Sequence, residues 1–251
     1  MSHLTPLLLI PARLASTRLP RKVLADIEGK PMIVRVYERC LASQVGPVVV
    51  ACDSTEVATE IEKIGGKVCL TDPDLPSGSD RVHAAMAAID PAQEYNVIIC
   101  VQGDLPTLAP ELIQKALVPL QDTAVDIATL AAPIMDAEDI HNPHVVKIAL
   151  AGDEDTPVRR ALYFSRAPIP AGQAVKYHHI GLYAYRRAAL MRYVTLGPSP
   201  LEKTERLEQL RALEAGMRID VAVVETFPLG VDTAADLEKA RLYYQHNRYY
   251  S

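Results

Sequence analysis

The sequence predicts an α/β protein with a mostly parallel sheet covered by helices on both faces, and three observations carry that expectation. Apolar segments are short and continuous instead of alternating, as in Leu7-Leu8-Leu9-Ile10, Val48-Val49-Val50-Ala51 and Val97-Ile98-Ile99-Cys100-Val101, the pattern of strands buried on both sides. Segments with apolar residues at the helical period lie between them. Strand and helix therefore take turns along the first hundred or so residues, as a parallel sheet with crossover helices requires.

The first strand, residues 7–10, is cut off by Pro11 and followed by a loop carrying Arg13, Arg18, Arg21 and Lys22. Ligands of open α/β sheets bind beyond the carboxyl ends of the strands, so four cations there suit a triphosphate; a solvated basic loop has the same composition. Residues 31–41 follow as a helix with Pro31 in its first turn, and 47–53 as a β-branched strand ending on Asp53. A helix over 55–64 is stopped by Gly65-Gly66 before a third strand at 68–70. Ser77-Gly78-Ser79-Asp80-Arg81 then opens a helix to Ile89, either as a simple cap or as a loop that receives a nucleobase edge.

Residues 97–101 form a buried strand, and Asp104 arrives just past its end after Gln102 and Gly103. A carboxylate there needs a cation, while Gly103 allows close approach to the backbone. A helix over 110–120 and a strand over 126–133 continue the alternation. From His141 the character changes: 145–150 and 161–166, separated by a polar turn, look like an antiparallel excursion. The strand 177–186 starts with His178 and His179, which point to opposite faces and cannot chelate one ion together. Helices at 188–196 and 207–216 flank an irregular stretch from Pro198 to Glu202; a strand at 219–225 leads to Asp232 and to Thr233, which caps a last helix running to Tyr243.

Composition narrows the classes. Nearly half of the 251 residues are apolar (49%) and 23% are charged, which excludes a disordered chain. A net charge of −5 argues against a nucleic-acid or anionic-membrane surface, and no apolar run approaches the roughly 20 residues of a membrane span. With no charged n-region and h-region at its start, the chain is expected in the cytoplasm. Four scattered cysteines, Cys40, Cys52, Cys69 and Cys100, form no metal-ligand spacing and read as structural thiols.

A basic loop for phosphates plus two distant acids, Asp104 and Asp232, suits Mg²⁺-dependent phosphoryl or nucleotidyl transfer, because Mg²⁺ commonly takes one or two carboxylates and completes its shell with phosphate and water. Neither GxxxxGK[ST] nor GxGxxG occurs, so the two common phosphate fingerprints do not explain the loop.

Seven motifs in order, Ile10-Pro11-Ala12-Arg13 with Ser16-Thr17-Arg18-Leu19-Pro20 and Lys22, Ser77-Gly78-Ser79-Asp80-Arg81, Val101-Gln102-Gly103-Asp104, Ala161-Leu162-Tyr163-Phe164-Ser165-Arg166, His179-Ile180-Gly181-Leu182-Tyr183, Leu207-Glu208-Gln209-Leu210-Arg211 and Gly230-Val231-Asp232-Thr233, resemble the 3-deoxy-manno-octulosonate (Kdo) cytidylyltransferases. The resemblance runs from about residue 7 to 243. It implies one glycosyltransferase-A-like nucleotidyltransferase domain over 1–251, with 141–190 as a sugar-binding and dimer-contact subdomain, usually in a homodimer. The implied reaction converts CTP and Kdo to CMP-Kdo and diphosphate for lipopolysaccharide assembly. By the same carry-over, Lys22, Asp104 and Asp232 form the catalytic set, and Asp104 and Asp232 bind Mg²⁺. Pro11, Ala12, Arg13, Lys22, Ser77, Gly78, Arg81 and Gln102 hold the nucleotide, and Arg166, His179, Tyr183, Glu208 and Gln209 surround the sugar acid. No nucleic acid or membrane is implied as a partner.

The chain departs from the family pattern at Arg21 and Val23, which stand where the loop usually has Gly and Pro, and at Leu105, where an acid is common. Ser79-Asp80 replaces the usual Thr-Glu. Two other readings stay open: a cytidylyltransferase acting on a sialic acid or an amino-substituted Kdo, and a catalytically silent nucleotide-binding regulator.

Overall fold

The computed structural model describes residues 3–16 and 19–246. Thr17 and Arg18 of the basic loop and the leading Met1-Ser2 lie outside the described residues. The chain forms two compact units, one built from Leu4–Ile113 and the segment from Pro228 onward, the other from Gln114–Phe227. The boundaries between the units fall near 113 and 227.

The first unit contains β1 (Pro6–Ala12), a short hairpin of β2 (Asp26–Ile27) and β3 (Lys30–Pro31), α1 (Met32–Ala42), β4 (Val48–Cys52), α2 (Thr55–Glu62), β5 (Lys67–Leu70), α3 (Gly78–Ile89), β6 (Val97–Cys100) and the start of α4 (Pro110–Lys115). Four strands lie in the order β5-β4-β1-β6, every pairing parallel. All residues of β4 and β6 are buried, which is why their sequences are continuously apolar. At the outer position, β5 is half exposed.

Pro11 does not end β1, contrary to expectation. Leu8 N donates to the Pro47 carbonyl on the β4 side, and Leu9 O accepts from Val101 N on the β6 side, so Pro11 turns its nitrogen toward β6. Pairing with β6 stops at Leu9, so the missing N–H of Pro11 costs no ladder bond.

The second unit contains β7 (Ile127–Pro133), α5 (Ala137–His141), β8 (Lys147–Leu150), β9 (Val158–Ser165), β10 (Tyr177–Arg186), α6 (Arg187–Thr195), α7 (Pro200–Glu205), α8 (Leu210–Glu214) and β11 (Ile219–Val223). Its strands run β10-β7-β11-β9-β8, and β8 also pairs with β10 through Tyr177 and His178. Only β7 and β11 are parallel. The expected mostly parallel sheet is therefore a mixed one, and the strands of 141–190 are members of it through β7 and β11, not an excursion from it.

Three helices differ from expectation. The stretch after Pro198 is helical, because Ser199 and Glu202 cap α7 reciprocally with Pro200 in its first turn. The next helix starts only at Leu210, since Arg206 is left-handed (φ 56°) and breaks the chain direction first. Helix α4 likewise stops at Lys115 and gives way to a 3-10 turn at Val118–Gln121 containing Pro119.

The chain then returns to the first unit through α9 (Ala234–His246), capped as expected by Thr233, whose Oγ1 accepts from Asp236 N at 3.2 Å. Leu237, Ala240 and Tyr244 of α9 pack with Ile27, Met32 and Val231, while the Arg35 guanidinium lies 4.3 Å from the centre of the Tyr244 ring.

Candidate functional site

Two loops of the first unit are held at one end of its parallel strands by interactions the sequence only half announces. Gly103 follows β6 so closely on β1 that a Cβ would sit 3.1 Å from the Pro11 carbonyl, so the glycine serves strand packing as well as ligand access. Val231 N donates to Asp104 O (3.0 Å), Leu229 N donates to Thr107 Oγ1 (2.8 Å), and the Tyr244 hydroxyl donates to Pro106 O (2.6 Å). These bonds staple residues 228–232 onto the turn after β6 and bring Asp232 beside Asp104. Leu105, where relatives commonly carry an acid, is buried with Gly230 against it.

Lys22 stands between the two acids: its Nζ donates to Asp104 Oδ2 at 2.7 Å and to Asp232 Oδ1 at 2.9 Å. Burial disfavours the ammonium, but the two carboxylates outweigh it and hold the Lys22 pKa above its ordinary value. Both carboxylates face a single point, and Asp232 is half exposed on its open side. That donor set fits Mg²⁺, which needs oxygen ligands and leaves room for phosphate and water. Among the described residues no group of three or more His, Cys, Asp or Glu could hold a metal.

These three residues line a cleft of about 330 Å³ together with Pro11, Arg13, Ser77, Gly78, Arg81 and Gln102, all from the expected nucleotide set. Ser16 of the first motif lines it too, as do Leu75 and Pro76, which lie outside the motifs. Ala12 is buried in β1 and is not among the residues that line the cleft. Arg21 departs from the expected cluster of cations. Held in the left-handed region (φ 57°), it pairs with Glu56 and leaves the cationic cradle to its neighbours. The Gly usual at this place in the family is thereby accounted for, since glycine adopts that conformation without strain.

Ser77 caps α3, accepting from Asp80 N at 3.1 Å, and also lines the cleft. The Arg81 side chain is buried, donating to the Asp72 carbonyl (3.2 Å) and meeting Asp53 Oδ2 at 3.4 Å. Asp53 Oδ1 accepts from Leu14 N at 3.0 Å. Asp53, visible in the sequence only as a strand end, thus ties the basic loop to the first turn of α3.

The expected sugar set lies in the second unit. Arg166 donates from Nη1 to Pro143 O (2.8 Å) and from Nε to Glu205 O (3.1 Å). Glu205, which sequence reasoning missed, accepts from Ser165 Oγ (2.8 Å) and Arg166 N (3.1 Å). Lys147 is fully buried and donates to Asn142 O (2.8 Å) and Val145 O (2.6 Å); burial first, and then nearby Arg166, lower its pKa.

His179 is a core histidine. Its Nε2 lies 3.0 Å from Thr129 Oγ1, and its ring packs against Phe164 and Tyr183. Thr129 directs its one hydroxyl proton to the carbonyls of Leu182 (2.8 Å) and Ile180 (3.1 Å), filling the irregularity where β10 slips register, so His179 Nε2 is the donor toward it. Burial, with His178 adding a smaller push, drives the His179 pKa down to about 3. His178 instead stacks on Phe227 at 3.8 Å, and burial takes it down to about 4. The two do face different surroundings, as alternation requires. Tyr183 is part-exposed and Gln209 buried; Glu208 O accepts from the Tyr193 hydroxyl at 2.9 Å, with the Arg211 to Glu202 pair bracing the same turn.

An acid pair, a lysine and a loop-lined cleft at strand ends define a nucleotide-handling α/β protein, and the chain belongs to the cytidylyltransferase family, whose model, described as "Cytidylyltransferase", matches residues 7–219. It is a nucleotidyltransferase. The particular relatives are 3-deoxy-manno-octulosonate cytidylyltransferases. That of Rhodopseudomonas palustris (strain BisA53) is 57% identical over 242 residues, 96% of this chain and 97% of the relative. That of Parvibaculum lavamentivorans (strain DS-1) is 59% identical over 236 residues, 94% and 91% of the two chains. A solved CMP:2-keto-3-deoxy-manno-octonic acid synthetase complexed with CTP superposes with a TM-score of 0.89 at 38% identity, covering 97% of this chain and 99% of that one. The resemblance read from the seven motifs therefore holds along the chain.

Proposed function

We propose that the chain is a Mg²⁺-dependent cytidylyltransferase that makes CMP-Kdo and diphosphate from CTP and 3-deoxy-D-manno-octulosonate, supplying lipopolysaccharide assembly as a cytoplasmic homodimer. The observation that carries the reading is the meeting of Lys22, Asp104 and Asp232 in a cleft whose rim also holds Arg13, Ser77 and Gln102. The names of the relatives, and the CTP in the solved neighbour's title, support the same substrates.

In this reading Arg13 and Lys22 take the phosphate oxygens, and Gly78, with no side chain at the rim, leaves space for the nucleoside beside Ser77 and Gln102. Asp53 holds the two loops in register for that contact. The sugar acid falls to Arg166, Tyr183, Glu208 and Gln209, with His179 buried behind Tyr183 as its support. The anomeric hydroxyl oxygen of the sugar bonds to the α-phosphorus, its proton passing to solvent, while the bond to the bridging oxygen of the diphosphate breaks, an in-line displacement that asks for placement and charge neutralisation and for no covalent enzyme intermediate. When bound by Asp104 and Asp232, Mg²⁺ would supply Lewis-acid neutralisation of the phosphate charge.

Purified protein mixed with CTP, Mg²⁺ and separate sugar acids, with diphosphate release followed, tests the reading. Release with Kdo alone supports it. Release only with an amino-substituted Kdo or a sialic acid moves the acceptor, and CTP binding without release from any acceptor would leave a regulator.

A further inference from the structure

The ammonium of Lys22 occupies the point on which the two acids converge, 2.7 Å from Asp104 and 2.9 Å from Asp232. Resting on the reading of Asp104 and Asp232 as cation ligands, this arrangement raises a question of competition. Mg²⁺ takes carboxylate oxygens at about 2.0–2.1 Å, and an ammonium takes them at about 2.7–2.9 Å. One pair of oxygens cannot serve both, because the dication would then lie against a fixed positive charge.

The backbone under Lys22 is well anchored, and its side chain reaches the two acids on a stem of rotatable bonds. Lys22 opens a 3-10 turn closed by Ala25 N to Lys22 O (3.0 Å), and its own N–H donates to Leu19 O (3.1 Å). Beyond the Cα, four methylenes carry the charge, a stem with three rotatable donors and no fixed plane. The cleft that Lys22 lines also holds Arg13 and Ser16, the groups suited to phosphate oxygens. A triphosphate placed there offers the ammonium an anion of higher charge within the sweep of that stem.

We infer that Lys22 is an exchangeable counter-ion. Without nucleotide it neutralises Asp104 and Asp232 and keeps a divalent cation off them. Nucleotide phosphates draw the ammonium away, and the carboxylates then receive the cation that arrives with the nucleotide. The cation and CTP consequently bind as a unit, and the order of binding is set by one lysine.

Mn²⁺ as a paramagnetic stand-in for Mg²⁺ allows a test that does not depend on turnover. Free Mn²⁺ is measured by electron paramagnetic resonance in titrations of wild type, Lys22→Met and Lys22→Gln, each with and without CTP, with thermal unfolding monitored alongside. The expected result is weak Mn²⁺ binding by wild type alone, tightening when CTP is added. In either variant that keeps the wild-type unfolding transition, nucleotide-free Mn²⁺ affinity should rise about tenfold or more, the effect of removing one charge-assisted pair, while the gain on adding CTP shrinks. Nucleotide-free affinity within about twofold of wild type in both variants would overturn the exchange, since an ion-paired lysine that competes for both carboxylates is worth more than that. Asp104→Asn and Asp232→Asn separate this from the underlying reading: if both retain wild-type Mn²⁺ affinity in the presence of CTP, the carboxylates are not the ligands and the functional assignment of the pair fails first.

Discussion

Replacing His179 by Gln should flatten the acid dependence of stability, and the structure fixes the size of the effect. His179 is 7% exposed, its ring lies between Phe164 and Tyr183, and its Nε2 donates to a threonine whose own proton is spent on two carbonyls. Nothing in that set welcomes a second ring proton. Burial above all, with His178 assisting, takes the pKa to about 3 in the fold, against about 6.5 in the unfolded chain. Below pH 6.5 the unfolded state gains a proton that the native state refuses. The stability this neutral histidine contributes is therefore complete above pH 6.5 and is lost as pH falls toward 3, at about 1.4 kcal/mol per pH unit. Between pH 7.5 and 4.5 the loss is about 2–3 kcal/mol, a large part of a total that is typically about 5–15 kcal/mol. Gln keeps an N–H for Thr129 and does not titrate. Urea unfolding of both proteins at pH 7.5, 6.0 and 4.5 gives the wild-type minus variant difference, in which His178 and the carboxylates cancel. That difference should shrink by about 2–3 kcal/mol across the range. A difference constant to within about 0.5 kcal/mol would refute the reasoning, for it would mean that His179 accepts its proton inside the fold.

Three further outcomes follow from the first unit. Asp104→Asn and Asp232→Asn should each lower kcat about a hundredfold or more with the unfolding midpoint little changed, as seen by diphosphate release beside a thermal melt. Asp53→Ala removes the acceptor of Leu14 N and the partner of buried Arg81, so the KM for CTP should rise about tenfold with a smaller change in kcat, measured by initial rates. Tyr244→Phe deletes the donor to Pro106 O at the staple that sets Asp232, and denaturant unfolding should show a loss of about 1–2 kcal/mol.

Much of this architecture is legible in the chain itself, for physical reasons that differ from place to place. Strands β1, β4 and β6 announce themselves because burial on both faces demands unbroken apolar runs. The caps Ser77 and Thr233 show because a helix start needs an oxygen at a fixed offset. The capping box of Ser199 and Glu202 was equally visible, yet the prolines on either side of Ser199 read as irregular chain. What local pattern cannot give is partnership over distance. The mixed pairing of the second unit depends on which strand finds β7 and β11, and strand periodicity is the same in either direction. Asp53, Glu205 and Thr129 were passed over because their importance lies in what they bridge, and a bridge has no signature of its own. Arg21 entered the expected cluster of cations through its charge alone, and its pairing with Glu56 could not be read from the local sequence.

The staple that carries Asp232 to Asp104 has a consequence in time as well as in space. On the ribosome, Lys22 and Asp104 emerge more than a hundred residues ahead of Asp232, and α9, which packs on the hairpin and α1, comes later still. The parallel strands of the first unit can collapse early, but the half of the acid pair that completes the site is among the last segments made. A growing chain thus carries the cleft with one wall missing, and if Asp232 acts as proposed, the stalled or truncated products of synthesis have no means of spending CTP.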